Sequence, residues 1–309
     1  MLIDGAAPRR SGVTLVELVV ALAIAGVVLS LVASISIRQQ RIYADLADAA
    51  ALSGQLREAA AILPTDLRGV ATGSGDIRGG EARDTAIEFR GTIASAVVCD
   101  TTAFGVVLAP AGPGVTGFAS FLTPIEAGDT AWVYSSREPL DEWRPYRVAS
   151  VANLAAGAAT CAQLGPTLTG SERSAARVAI GLDGGPPPAA IVGAPMRFTR
   201  AVRYSLYRAS DGEWYLGVRE WNPSSARFNT IQPVGGPFAS PSLGGLAFRY
   251  LDSLGASLGI PVLDTRTISL VRIELRGQTK NVTQALSAAG PSGKRSDSLS
   301  LVVLLRNRR

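Results

Sequence analysis

The segment that most constrains this chain is RRSGVTLVELVVALAIAGVVLSLVASISI, Arg9 to Ile37. From Leu18 to Ile37 it runs 20 residues without a charge. At 1.5 Å per helical residue such a run covers roughly 30 Å, the hydrocarbon thickness of a bilayer. Ser30, Ser34 and Ser36 are tolerable there because a hydroxyl can bond a preceding helix carbonyl. Gly26 fits because small residues are common where membrane helices pack closely. Glu17 stands at the mouth of the run. A charged side chain within a spanning helix costs on the order of 3 kcal/mol or more, so Glu17 is either a functional group with a partner or an acid snorkelling to the headgroups.

A secretory signal peptide also pairs basic residues with an apolar stretch, but its apolar part covers about 7–15 residues and ends at a small-residue cleavage site. This run is longer, and no Ala-x-Ala site followed by a polar mature start occurs in it. The chain instead continues through Arg38–Arg41 as polar helix. Arg9 and Arg10 favour a cytoplasmic N-terminus, a bias opposed by Arg38 and Arg41.

The residues Gly12, Val13, Thr14, Leu15, Val16 and Glu17 resemble the cleavage site of prepilins, the precursors of type IV pilins and type II secretion pseudopilins. The resemblance implies that residues 1–12 are a leader removed after Gly12 by the prepilin peptidase, a membrane enzyme acting on the cytoplasmic side. Val13 then becomes the first mature residue and is N-methylated, and the apolar helix is retained. It implies a role in assembly for Glu17, whose carboxylate would pair with the N-terminal amine of a neighbouring subunit's Val13 and set axial register. Such a pair contributes register more than net stability, because a buried ion pair must offset its own desolvation. Where the family usually has phenylalanine, this chain has Val13; the glycine and the glutamate are kept.

Beyond the uncharged run, Ile42, Leu46, Ala49, Leu52 or Ser53, Leu56, Ala60 and Leu63 recur at three- and four-residue spacings, a narrow apolar stripe along a helix. Pro64 is expected to end or kink it. The reading is one helix over residues 13–63, about 75 Å if straight, with the membrane-spanning part at about 16–37 and the second half packed on a head formed by residues 64–309. Residues 65–84 read as loop with little regular structure, with Asp66–Val70 as a brief continuation of the helix the alternative. Strand-like runs follow at Ala86–Phe89, Ala96–Cys99, Phe104–Leu108, Thr130–Tyr134 and Tyr146–Val151, punctuated by Gly, Pro and Asp. Leu182–Pro195, with GGPPP, reads as a surface connection. Phe198–Arg208 and Trp214–Trp221 flank Asp211-Gly212, a strong hairpin signal. Their aromatics, Tyr204, Tyr207, Trp214, Tyr215 and Trp221, suit either cross-strand packing or a ligand platform. Gly244–Asp252, Thr267–Arg276 and Ser298–Asn307 offer three more strands.

The expected fold class is therefore α+β, a long N-terminal helix packed on an antiparallel β-rich head. Tyr204–Arg208 with Trp214–Gly217, Gly245–Gly255 and Leu305–Asn307 also resemble segments of the larger minor pilins and pseudopilins, the W-type or J-type members, which implies a low-abundance subunit rather than the repeating one.

Chemistry is conspicuous by what is missing. The chain has no histidine, which removes imidazole base catalysis, Ser-His-Asp triads and the commonest zinc ligand. There is no phosphate-binding loop, no Cys-x-x-Cys and no calcium loop around Asp183 or Asp211. Neither an enzyme nor a bound cofactor is expected, although a tethered enzyme or binding module is the alternative class. Net charge is +5, with arginines interspersed among acids, so no nucleic-acid partner is indicated. The expected partners are the prepilin peptidase, other pilin subunits and the inner membrane, with the head outside the cytoplasm. Cys99 and Cys161 lie 62 positions apart. In an exported domain they read as a disulfide stabilising the fold by roughly 4 kcal/mol, or as two separate buried thiols. Asn281-Val282-Thr283 fits a glycosylation acceptor or a plain loop, and Asp141-Glu142 a solvated turn.

Overall fold

The computed structural model describes residues 14–111, 117–135, 142–157, 161, 164, 167–173, 175–186, 190–282 and 293–305. Its spine is α1, Leu15–Arg68, 54 residues long, about 80 Å at the standard rise. The helix passes through Pro64 and ends four residues beyond it, later than the proline alone suggests. Proline removes one N–H and crowds the preceding turn, but Leu63, Leu67 and Val70 are all fully buried and hold the chain on course. Thr65 Oγ1 donates to Ala61 O at 2.7 Å, and Gly69 N–H closes the last turn on Asp66 O.

The buried stripe is Leu52, Leu56, Ala59, Leu63, Pro64 and Leu67. Ala59 rather than Ala60 faces the core. Ile42 and Leu46, which the periodicity places in the same stripe, are half exposed, at 50% and 53%. Burial against the head begins only at Leu52; nearer the N-terminus the sheet meets the helix through Asn281 of β13, which bonds Asp48.

The head is built from β1 (Ile77–Ala82), β2 (Ala86–Thr102), β3 (Gly105–Leu108), β4 (Ala119–Phe121), β5 (Thr130–Ser135), β6 (Glu142–Leu154) and β7 (Arg177–Leu182). It continues with β8 (Pro195–Arg208), β9 (Trp214–Asn222), β10 (Arg227–Phe228), β11 (Gln232–Phe238), β12 (Leu246–Leu251), β13 (Leu270–Val282) and β14 (Lys294–Leu304). A four-residue helix, Gly170–Arg173, precedes β7. Each of the sequence-predicted strands overlaps one of these. The helix does continue briefly past residue 65, to Arg68, and the segment after it is more regular than a loop, with a 3₁₀ turn at Thr72–Ser74 and β1. The segment between β7 and β8 is not wholly a surface connection, since Ala190 and Ala194 are buried in the core of the first lobe.

All strand pairings among the described residues are antiparallel. The long strands β2 and β8 pair along most of their length, from Ala86↔Ser205 to Val97↔Pro195, and divide the head into two lobes. In the first, β2–β3, β3–β7, β7–β6, β6–β5, β5–β8 and β8–β2 form a closed circuit of pairings. Closure leaves no open edge, and the interior is filled by Ile93, Val98, Leu108, Val133, Ile180 and Phe198 among others. In the second, β8, β9, β11, β13 and β12 continue the sheet, with β14 on β13, and their inner face joins the stripe of α1 in one core with Phe89, Tyr204, Phe238, Phe248 and Tyr250. Each large side chain so buried contributes about 1.5–3 kcal/mol. Just before β12 glycine is required: a Cβ on Gly245 would sit 1.8 Å from Ala239 O.

Two buried ion pairs pin the outer surface and the lobe junction. Arg200 binds Asp129 through both Nε (2.8 Å) and Nη2 (2.7 Å), with the Asp129 side chain fully buried. Arg197 forks onto Asp76 at 2.8 and 3.2 Å while its guanidinium lies 4.8 Å from the Trp132 ring centre, a cation–π contact. Cys99 and Cys161 are joined in a disulfide with Cα atoms 5.0 Å apart. It packs with Val107, Ala109 and Leu168 in a small core of its own.

Candidate assembly helix

The exposed first half of α1 is the candidate site. Thr14 caps it, with extended backbone (φ −75°, ψ 151°). Its hydroxyl accepts from Glu17 N–H at 3.3 Å, and in return Glu17 Oε2 accepts from Thr14 N–H and Thr14 Oγ1, each at 3.0 Å. This is a complete capping box. Two helix-end N–H groups that would otherwise lack partners are satisfied, and a carboxylate is placed where the helix dipole favours negative charge. The T-x-x-E spacing is itself a sequence signal for this cap. Considered only as an acid in need of a partner, Glu17 draws attention away from Thr14, which is that partner within the same chain.

From Leu15 to Ile37 every residue is exposed, including Leu22, Ile24, Val27, Leu29 and Leu31. Ser30 Oγ donates to Val27 O and Ser34 Oγ to Leu31 O, both at 2.8 Å, so the two hydroxyls are satisfied within the helix as a non-aqueous setting demands. Among the described residues α1 is the helix long and apolar enough to cross a membrane, by length and composition.

Gly12 and Val13 lie outside the described residues, as do Asp141 and Thr283. Asn281 ends near the helix, its Nδ2 donating to Asp48 at 3.0 Å. The aromatic hairpin forms with Arg208 opposite Trp214. Tyr204 is core, Tyr207 and Tyr215 pair across the strands at 6.0 Å, and Trp221 meets Phe228 edge-on. At the turn Asp211 accepts from Tyr215 at 2.8 Å, a bond that pushes the phenol up to about 12 and holds the carboxyl below its usual range. Tyr204 itself stacks on Phe89. Among the described residues no cluster of acids, cysteines or histidines could hold a metal ion.

Residues 7–33 match the prokaryotic N-terminal methylation motif. No curated protein and no solved structure matches the chain. The methylation motif spans Gly12, Val13 and Glu17 together with most of the uncharged run. It supports a pilin-type or pseudopilin-type subunit of the type IV pilin superfamily, suggests a structural rather than catalytic chain, and implies processing by prepilin peptidase and assembly with other pilins. With the apolar helix it is consistent with a single-pass membrane anchor.

Proposed function

We propose that this chain is a minor pilin or pseudopilin, most similar in kind to the large W-type or J-type subunits, acting at the tip or in initiation of a filament. The prepilin peptidase cleaves after Gly12 and methylates Val13. The subunit waits in the inner membrane on residues 16–37, with the head of residues 64–309 outside the cytoplasm, and is then drawn into a helix bundle. There Glu17 exchanges its contacts with Thr14 for the amine of a neighbour's Val13. The observation that carries this reading is the methylation motif set at the start of a helix that holds no buried side chain over residues 15–51. A two-lobed head of this size would crowd a shaft if repeated at every position, which favours a terminal place.

Mass spectrometry of the mature N-terminus tests it. The expected result is a chain beginning at N-methylated Val13, with Gly12→Ala accumulating as uncut membrane-bound precursor. A mature chain starting at Met1, or cut inside the alanine-rich run, would overturn it.

A further inference from the structure

The face of β12, β13 and β14 turned away from α1 carries two rows set by strand register. One is Leu251–Leu270–Leu304, and the next is Arg249–Arg272–Val302. The intervening residues, Tyr250, Val271 and Val303, point into the core shared with α1, so the two rows face outward. Val302 is 56% and Leu304 51% exposed.

Arg249 and Arg272 stand directly opposite each other, a like-charge pairing that disfavours the sheet. Glu274 reaches Arg249 at 3.4 Å. No carboxylate among the described residues lies within 4 Å of Arg272. Beside the rows, Glu274, Arg276, Leu243 and Ser298 line a hollow of about 470 Å³. Among the described residues, β14 pairs with no strand other than β13.

We propose that this face docks a different protein, through an aspartate or glutamate that pairs with Arg272 and apolar side chains that cover the leucine row. Arg272 is exposed; an arginine with apolar residues beside it becomes an interface anchor once a partner excludes water from it, and a carboxylate bound two-pronged by guanidinium is its natural complement. A second copy of this chain in a two-fold contact would set arginines against arginines. An anionic lipid surface would meet Glu274 on this face, and the face lies toward the C-terminal end of α1, away from its membrane-compatible run.

The location suits such a contact. β13 runs antiparallel to α1: Asn281 bonds Asp48, Gly277 lies on Leu52 and Leu56, and its other end follows Thr265, whose hydroxyl bonds Ile77 O beyond the end of the helix. The leucine row therefore sits toward the C-terminal end of α1, away from its exposed apolar half. The surface is present whether or not Gly12 is cleaved.

The test places the photo-crosslinker p-benzoylphenylalanine at Leu304, and separately at Val302, in the full-length chain in its producing cell. The expected result is one adduct with another polypeptide, whose cross-linked peptide contains an aspartate or glutamate. That adduct should fall about tenfold with Arg272→Glu and be partly kept by Arg272→Lys, with the melting temperature unchanged. Leu304→Glu, which leaves Arg272 in place, should weaken the contact too, and covers the case in which Arg272→Glu disturbs folding. Adducts with lipid alone, with a second copy of this chain, none at all, or one indifferent to both charge changes would overturn the proposal.

Discussion

Tyr204 donates its hydroxyl to Asp66 at 2.5 Å, tying the middle of β8 to the last turn of α1. Burial, reinforced by this carboxylate, raises the phenol well above its ordinary value of 10.0. Because the folded state holds the proton more tightly than the unfolded chain does, the stability it contributes is fully present below about pH 10 and is lost as pH rises above it. Tyr250, whose hydroxyl donates to Arg83 O and whose burial likewise raises it, adds to the same trend. Tyr204→Phe should cost about 1–2 kcal/mol at neutral pH and flatten the decline above about pH 10. Denaturant titration of the full chain in detergent at about pH 7 and about pH 11, either side of that onset, checks both.

Leu63→Ala should destabilise the head by about 2–5 kcal/mol, since Leu63 is fully buried between helix and sheet and the vacated space cannot collapse freely. Leu46→Ala, on the same helix but half exposed, should stay within about 0.5 kcal/mol. Equal losses in the two melting curves would mean that Leu46 is packed against the head as Leu63 is.

Replacing Cys99 and Cys161 together by serine should lower stability by roughly 4 kcal/mol, by the loop-closure argument, and abolish the mobility difference between reduced and non-reduced chain on a gel. If reduction leaves the melting temperature of the native chain unmoved, the bond contributes nothing to the stability of the head.

Glu17→Ala should leave insertion and processing intact and impair assembly, measured as membrane-retained mature subunit against filament-associated subunit. Thr14→Ala removes the cap and should cost about 1 kcal/mol of helix-start stability while leaving the neighbour's amine available to Glu17. Filament incorporation unchanged in the Glu17 variant would remove that residue from the register role.

The helix, its capping residues and the antiparallel strands are legible in the sequence because each depends on neighbours within a few positions. An uncharged run, a T-x-x-E spacing, alternating residues and an Asp-Gly turn state their local geometry directly. The stripe on α1 is half legible: a period of three to four marks which side of a helix is apolar, but not how far a sheet extends along it, so Ile42 and Leu46 carry the pattern without the burial. Local sterics make Pro64 a stop, whereas the packing of Leu67 and Val70 outweighs that cost.

By itself the sequence determined the membrane-compatible helix, the motif at its start and the class of the head, all properties of contiguous residues. Only the tertiary structure decided what depends on residues far apart in the chain. β2, β3, β5, β6, β7 and β8 close into a circuit, and Arg200 meets Asp129 across 71 positions. Cys99 and Cys161 come within bonding distance, and Arg249, Arg272 and Val302 fall into one row. Strand register and core contacts are chosen by the free energy of the whole fold, which no local pattern contains.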